Sequence, residues 1–270
     1  MPRLLLLFSI FMSNYCLCQV DSSIYKFKTD SGYFHSFDNT SIYYESRGAG
    51  YPVVLVHGFL NTAENWKRTV LLPQLLKSGY RVILLDLRGN GRSDKLHSEA
   101  GYANDAEAKD IIALTHFLKL NRYDIVGYSR GSIITARVLL LDKRVNKAVI
   151  GGMGTGFTDP QWPRRIQFYE AFMGNPSPAL QPMMANVRKM GMDTLELAYM
   201  QKQQPSASPD ELSKIHKKVL VICGDHDDDN GSAKDLAKMI HSSILVTVPG
   251  DHGGAVRTKE FSEAVLSFLK

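Results

Sequence analysis

Cysteine is scarce in this chain, which has 3 in 270 residues. Two of them, Cys16 and Cys18, lie close to the N-terminus, and only Cys223 follows. Without the N-terminal pair no internal disulfide can form, so a hydrophobic core rather than cross-links must stabilise the fold. Hydrophobic residues make up 44% of the chain, which is enough for one large core.

A strong charge imbalance is also absent. The chain has 32 basic and 27 acidic residues, a formal net charge of +5, and its basic residues are scattered rather than interleaved with aromatics. This pattern argues against a nucleic-acid groove and a polybasic membrane patch, and it is typical of a solvated surface. We therefore expect no nucleic-acid partner, and no pattern indicates an oligomeric state.

Long hydrophobic runs are missing apart from one near the N-terminus. An arginine precedes an apolar run over residues 4–12, which is shorter than the roughly 20 residues of a membrane-spanning helix. Small residues, Cys16 and Cys18, then precede a suitable cleavage point. The pattern predicts a signal peptide over 1–18 and a secreted or periplasmic domain over 19–270 without stable membrane insertion. A buried N-terminal helix is the alternative.

After residue 50, short β-branched runs alternate with longer segments of helical period, which indicates a mostly parallel sheet flanked by helices. A short polar turn between residues 33–37 and 41–44 predicts an antiparallel hairpin ahead of them. Eight strands are expected in all. The six predicted buried strands are 52–56, 81–86, 123–126, 147–150, 219–223 and 244–248, and the predicted helices are 66–77, 104–118, 132–141, 233–240 and 259–269.

One segment interrupts this alternation. It is rich in Pro, Met and Gln and predicts a small helical cap inserted over about 155–215. Methionine and aromatic side chains form adaptable apolar surfaces, so the cap either covers a lipophilic substrate pocket or builds its own core. The candidate pocket residues are Trp162, Phe168, Phe172 and Met173.

The sequence Gly127-Tyr128-Ser129-Arg130-Gly131 directly follows a predicted strand and directly precedes a predicted helix. A strand that turns sharply into a helix needs small residues on both sides and leaves the central side chain exposed. We therefore interpret Ser129 as a nucleophile rather than as part of an ordinary glycine-bounded turn.

A serine nucleophile needs a base and an acid that orients the base. His252 is the candidate base, because it lies in the loop between the last predicted strand and the terminal helix. The acid is expected after the preceding strand, where four aspartates compete; we favour Asp227, then Asp225 and then Asp228. The same aspartates raise the alternative of a calcium ion, but their spacing matches no loop pattern closely. We predict no metal and no cofactor.

Two backbone amides are candidates for an oxyanion hole. Phe59 follows His57-Gly58 directly after a predicted strand, and Arg130 opens the helix behind Ser129. Amides in these positions would donate to the negative oxygen of a tetrahedral intermediate.

Five motifs together resemble those of the α/β-hydrolase superfamily: 56–59, 86–94, the segment around Ser129, 224–227 and 250–252. The block over 86–94 is similar to a turn found in its esterase, perhydrolase and C–C hydrolase branch. The resemblance implies the α/β-hydrolase fold and a triad of Ser129, Asp227 and His252. It disfavours dehalogenases and epoxide hydrolases, which carry aspartate in place of the serine. Arg130 departs from the apolar residue or glutamine of relatives, and it either favours an acidic substrate group or pairs with a nearby carboxylate.

The resulting hypothesis is a serine hydrolase that cleaves a carboxylic ester, or a related acyl small molecule, through an acyl-enzyme. Perhydrolysis and C–C bond hydrolysis use the same triad and remain alternatives. A non-catalytic binding protein that retains the fold is a third possibility.

Overall fold

The computed structural model of the protein describes residues 20–270, so the signal peptide predicted over 1–18 lies outside the described residues. Eight strands form one sheet. They are β1 (Thr29–His35), β2 (Ser41–Arg47), β3 (Pro52–Val56), β4 (Arg81–Leu85), β5 (Tyr123–Tyr128), β6 (Val145–Gly151), β7 (Lys218–Gly224) and β8 (Ser243–Val248).

Ten α-helices accompany the sheet within the described residues. They are α1 (Ala63–Lys67), α2 (Leu71–Lys77), α3 (Ala106–Phe117), α4 (Arg130–Leu141), α5 (Pro163–Phe172), α6 (Gln181–Lys189), α7 (Thr194–Lys202), α8 (Pro209–Ser213), α9 (Ala233–Met239) and α10 (Lys259–Leu269).

The strand order across the sheet is β1-β2-β4-β3-β5-β6-β7-β8. The pairs β1–β2 and β2–β4 are antiparallel, and every other pair is parallel. The prediction of a mostly parallel eight-stranded sheet flanked by helices is therefore confirmed. Because the carboxyl ends of the parallel strands meet at one edge, the loops that follow β3, β5, β7 and β8 converge there.

The sheet separates two apolar cores. Side chains such as Val54 and Ile125 face α3, α4 and α9 on one side, while Leu55 and Val126 face α1, α2 and α10 on the other. Strand β8 departs from the expected burial on both faces, since Ile244 is 52% exposed. The reason is that β8 is an edge strand of the sheet.

The helix predicted over 66–77 is divided into α1 and α2. Thr62 and Asn65 form a capping box that starts α1. Pro73 lies in α2, and its ring would clash with the carbonyl of Thr69 in an uninterrupted helix. The sequence therefore forces a break before Leu71.

The segment between β6 and β7 contains a 3-10 turn over Thr155–Thr158 and the helices α5 to α8. Helices α5, α6 and α7 share a small apolar cluster that includes Phe172, Met184 and Leu197. The methionines and aromatics of this segment thus serve in part as its own core. No helix within residues 20–270 combines the length and the hydrophobicity needed to cross a bilayer.

Candidate active site

Ser129 lies between β5 and α4 with backbone angles φ 54° and ψ −126°. Positive φ is strained for a residue with a Cβ, and such strain is typical of a turn that displays a side chain. The flanking glycines permit it, because a Cβ at Gly127 would overlap the carbonyl oxygen of Gly131, and one at Gly131 would overlap that of Val56. The backbone fold therefore requires glycine at both positions.

Three side chains from three loops meet at this point. The Oγ of Ser129 lies 2.9 Å from Nε2 of His252, and Nδ1 of His252 lies 3.0 Å from the nearer carboxylate oxygen of Asp227. An ionised carboxylate only accepts hydrogen bonds, so Nδ1 carries the ring proton and Nε2 is left to accept from the serine. This is the hydrogen-bonded order that a serine nucleophile needs.

The competing aspartates lie elsewhere. The side chain of Asp227 is 1% exposed, and it is the aspartate that contacts His252. Asp225 accepts a hydrogen bond from the backbone amide of Gly250 at 2.8 Å and thereby joins the loops that follow β7 and β8. Asp228 is exposed. Within residues 20–270, no group of three His, Cys, Asp or Glu side chains is arranged to hold a metal ion.

The two backbone amides that are candidates for the oxyanion hole, those of Phe59 and Arg130, donate to no acceptor within the described part of the chain. The amide of Arg130 lies in the first turn of α4, where helical amides have no intrahelical partner. The amide of Phe59 donates to no backbone carbonyl of residues 20–270. A Cβ at Gly58 would lie 3.1 Å from the Cβ of Ser129, so the glycine allows this loop to approach the serine closely.

Two further residues contact the histidine and were not singled out from the sequence. The hydroxyl of Tyr128 donates to the carbonyl oxygen of His252 at 2.8 Å. The side-chain nitrogen of Asn230 lies 3.2 Å from Nδ1 of His252 and donates to the carbonyl of Gly152 at 3.2 Å. Tyr128 lies between the glycine and the serine of its motif, where the motif specifies no residue type, and Asn230 follows the run of aspartates. No sequence pattern therefore pointed to a contact of either residue with His252.

Buried polar side chains near the triad hold the surrounding loops in place. His57 is buried, donates from Nδ1 to the carbonyl of Gly58 and accepts at Nε2 from the amide of Leu87. Burial lowers the pKa of His57, which keeps the ring neutral. Asp86 accepts from the backbone amides of Ala63 and Arg92 at 2.7 and 2.9 Å. The 86–94 turn thus braces the site.

The side chain of Arg130 is 3% exposed and pairs with the equally buried Glu107 of α3. It also donates from Nη2 to the carbonyl oxygen of Met200, at 3.0 Å, in the cap. The sequence left two alternatives open for Arg130, and the structure shows the one in which its guanidinium pairs with a nearby carboxylate.

Two cavities flank Ser129. One, of about 180 Å³, lies beneath the cap and is lined by Trp162 and Phe168. The other, of about 260 Å³, is lined by Trp66 and Tyr128 among others. The remaining candidate pocket residues do not line the first cavity. Phe172 packs in the apolar cluster of the cap, and Met173 follows the last residue of α5 with 46% of its surface exposed.

A family model described as the alpha/beta hydrolase fold matches residues 51–176. A hydrolase from Pseudomonas aeruginosa superposes on the chain with a TM-score of 0.72 at 26% identity, covering 89% of this chain and 98% of that one. The chain belongs to the α/β-hydrolase superfamily. The residues matched by the family model run from β3 to α5 and include Ser129.

Curated relatives of this α/β hydrolase carry different names. A non-heme chloroperoxidase of Streptomyces lividans is 39% identical over 117 residues, which are 42% of this chain and 41% of that protein. The match therefore spans about two fifths of that relative. An (E)-2-((N-methylformamido)methylene)succinate hydrolase of Acinetobacter baylyi is 29% identical over 235 residues, covering 76% of this chain and 83% of that one.

Proposed function

We propose that the protein is a serine hydrolase that cleaves carboxylic esters through an acyl-enzyme, with Ser129, His252 and Asp227 as its catalytic triad. The observation that carries this proposal is the hydrogen-bonded order of these three side chains, at 2.9 and 3.0 Å, beside two backbone amides that donate to no acceptor among residues 20–270. A binding protein has no need of this constellation, because a serine hydrogen-bonded to a histidine that an aspartate orients serves nucleophilic attack.

The geometry supports a two-step reaction. The Oγ of Ser129 attacks the ester carbonyl carbon while Nε2 of His252 takes its proton, and the amides of Phe59 and Arg130 hold the oxyanion. When the carbon–oxygen bond to the alcohol breaks, His252 returns the proton to the leaving oxygen. Water then attacks the acyl-enzyme, gives one proton to His252 and releases the acid, and the proton returns to Ser129.

The volumes on either side of the serine support a short substrate. The cavity beneath the cap, at about 180 Å³, is below the roughly 300–1,000 Å³ of sites for drug-sized ligands. Both cavities reach Ser129 and His252, so each takes one half of a cleaved ester. We assign the smaller one to the acyl half, which stays attached to the serine through both steps.

Turnover of p-nitrophenyl esters from acetate to octanoate tests this proposal when the wild type is compared with Ser129→Ala. We expect the wild type to hydrolyse the short esters and the variant to lose at least about 10³-fold in kcat. Ser132→Ala is the matched control, because Ser132 is buried in α4 and donates to the carbonyl of Gly151. Equal activity of Ser129→Ala and the wild type would contradict the proposal.

A second candidate function is perhydrolysis, in which hydrogen peroxide replaces water at the acyl-enzyme and the product is a peracid. The similarity to a protein named as a non-heme chloroperoxidase favours it. Product analysis with acetate and hydrogen peroxide distinguishes the two, since only a perhydrolase accumulates peracetic acid faster than the Ser129→Ala variant does.

A further inference from the structure

The cavity beneath the cap carries three guanidinium groups, those of Arg130, Arg164 and Arg165. Two of them are matched by carboxylates: Arg130 by Glu107, and Arg164 by Asp229 at 3.1 Å. Glu107 and Asp229 therefore neutralise two of the three charges.

Arg165 differs from the other two. Its Nη1 and Nη2 donate to the backbone carbonyl oxygens of Lys202 and Pro160, at 3.1 and 2.5 Å, and it forms no ion pair with any residue over 20–270. The two carbonyls hold the guanidinium in place without cancelling its charge. The wall of the cavity is left with one uncompensated positive charge.

Two buried donors on this wall also lack an acceptor. The Nε atoms of Arg130 and Arg165 are inaccessible to solvent and have no hydrogen-bond partner within the described residues. Arg130 is 97% buried, since only 3% of it is exposed. A water molecule does not reach these two atoms, so the donors left for a ligand on this wall are the N–H groups of Arg165 Nη1 and Nη2 that the two carbonyls do not use.

The surroundings of Arg165 also favour the binding of an anion. Burial lowers its pKa, and Asp159, the carboxylate that opposes this effect, is not close enough to form an ion pair. The other polar residues of the cavity on this side, Gln201 and Gln204, are neutral amides. An anion in the cavity would restore the missing counter-charge.

We propose that the acyl half of the substrate ends in a carboxylate, which binds the guanidinium of Arg165, so that the enzyme prefers monoesters of short dicarboxylic acids. This inference rests on the proposed ester hydrolysis for its assignment to the acyl half. Guanidinium groups suit the role because they present planar, fixed donors to a carboxylate.

Binding of monomethyl glutarate and methyl pentanoate to the Ser129→Ala protein tests the subsite without turnover. The two esters have acyl chains of equal length, and only the first ends in a carboxylate. Titration calorimetry should show at least about tenfold tighter binding of the glutarate ester, and adding Arg165→Gln should remove this preference. Arg165→Lys, which keeps the charge but loses the fork, should restore it in part. Equal affinity for the two esters would overturn the inference.

Arg188→Gln is the matched control, because Arg188 is an exposed cap arginine on α6 that does not line the cavity. It should leave both affinities unchanged. If Arg188→Gln weakened glutarate binding as much as Arg165→Gln did, the preference would reflect the overall charge of the cap and the subsite would be refuted.

Kinetics separate this inference from the proposed function. For the mono-p-nitrophenyl ester of glutaric acid against p-nitrophenyl pentanoate, the ratio of kcat/KM should favour the acid by about tenfold or more and fall towards unity in Arg165→Gln. Turnover that depends on Ser129 but shows no such preference would sink the inference and leave the esterase standing. Tighter binding of the glutarate ester without turnover of either ester would contradict the proposed ester hydrolysis and leave the carboxylate subsite standing. A preference for a carboxylate in the alcohol half alone would contradict the acyl assignment.

Discussion

The strand ends of the sheet and the cap above them differ in how they hold their functional groups. At the strand ends, backbone contacts fix the site: Ser129 is confined by two glycines, and the loops bearing Asp227 and His252 are joined by the bond from Gly250 to Asp225. The cap instead meets the domain below through side chains: its apolar cluster includes Tyr102 of that domain, whose hydroxyl also donates to Glu196 at 2.9 Å.

This difference separates reactivity from specificity. Positions fixed by backbone packing tolerate few residues and supply the same chemistry to many substrates. Positions on the cap change the size and charge of the cavity without moving Ser129. Substitutions at the strand ends should therefore reduce turnover of every ester, whereas substitutions in the cap should change which ester is preferred.

The largest effect is expected from Asp227→Asn. An amide favours the tautomer of His252 that cannot accept the serine proton, so kcat should fall on the order of 10⁴-fold for all esters. Asp228→Asn is the control, since Asp228 is an exposed neighbour that does not contact the histidine. Comparable losses in the two variants, measured as kcat on p-nitrophenyl butyrate, would refute the assignment of the acid.

The next largest effect is expected from removing the carboxylate partner of Arg130, the residue that joins α4 to the cap through the carbonyl of Met200. Glu107→Ala leaves Arg130 buried beside the serine without its carboxylate, and the free energy of unfolding should fall by about 3–5 kcal/mol in urea denaturation. The double variant Glu107→Leu with Arg130→Met removes both charges and should regain most of that loss. If the double variant were no more stable than the single one, the pair would not act as a charge pair.

A smaller change is expected from Met183→Ala in the cap. Met183 lines the cavity beneath the cap, so its truncation should raise the ratio of octanoate to butyrate turnover by about tenfold. Met190→Ala, at a cap methionine that is 57% exposed, should leave the ratio unchanged. An unchanged ratio in Met183→Ala would mean that the acyl chain does not enter this cavity.

The smallest effect concerns the pH dependence of stability. Because burial lowers the pKa of His57, the folded protein binds fewer protons than the unfolded chain below about pH 6.5. This contribution is fully present above that pH and is lost as the pH falls, by at most about 1.4 kcal/mol per pH unit. The unfolding free energy of His57→Asn should decline less steeply than that of the wild type between pH 6.5 and 5, and parallel slopes would contradict the account.

Sequence patterns predicted what the backbone determines. Gly127 and Gly131 indicated the serine turn because close packing leaves room for no other residue, and short β-branched runs located the strands to within a few residues. The break before Leu71 was missed because the helical period continues through it, although Pro73 carries the reason. The exposure of Ile244 was missed because the apolar sequence of a parallel edge strand resembles that of a central strand.

It was harder to predict which of several residues of the same type takes a given role in the site. Asp227 and Asp225 follow the same strand, and only the path of the loop decides which carboxylate reaches His252. The three guanidinium groups of the cavity escaped notice because Arg130 is far from Arg164 and Arg165 in the sequence. Their convergence depends on how the cap folds back over the serine, which no local pattern encodes.

Labelling with a fluorophosphonate followed by peptide mass spectrometry tests the central claim most directly, because the reagent forms a covalent bond only with an activated serine. The account predicts one adduct, on Ser129, and strongly slowed labelling in His252→Ala. An unlabelled protein, an adduct on a different serine, or equal labelling rates with and without His252 would contradict it.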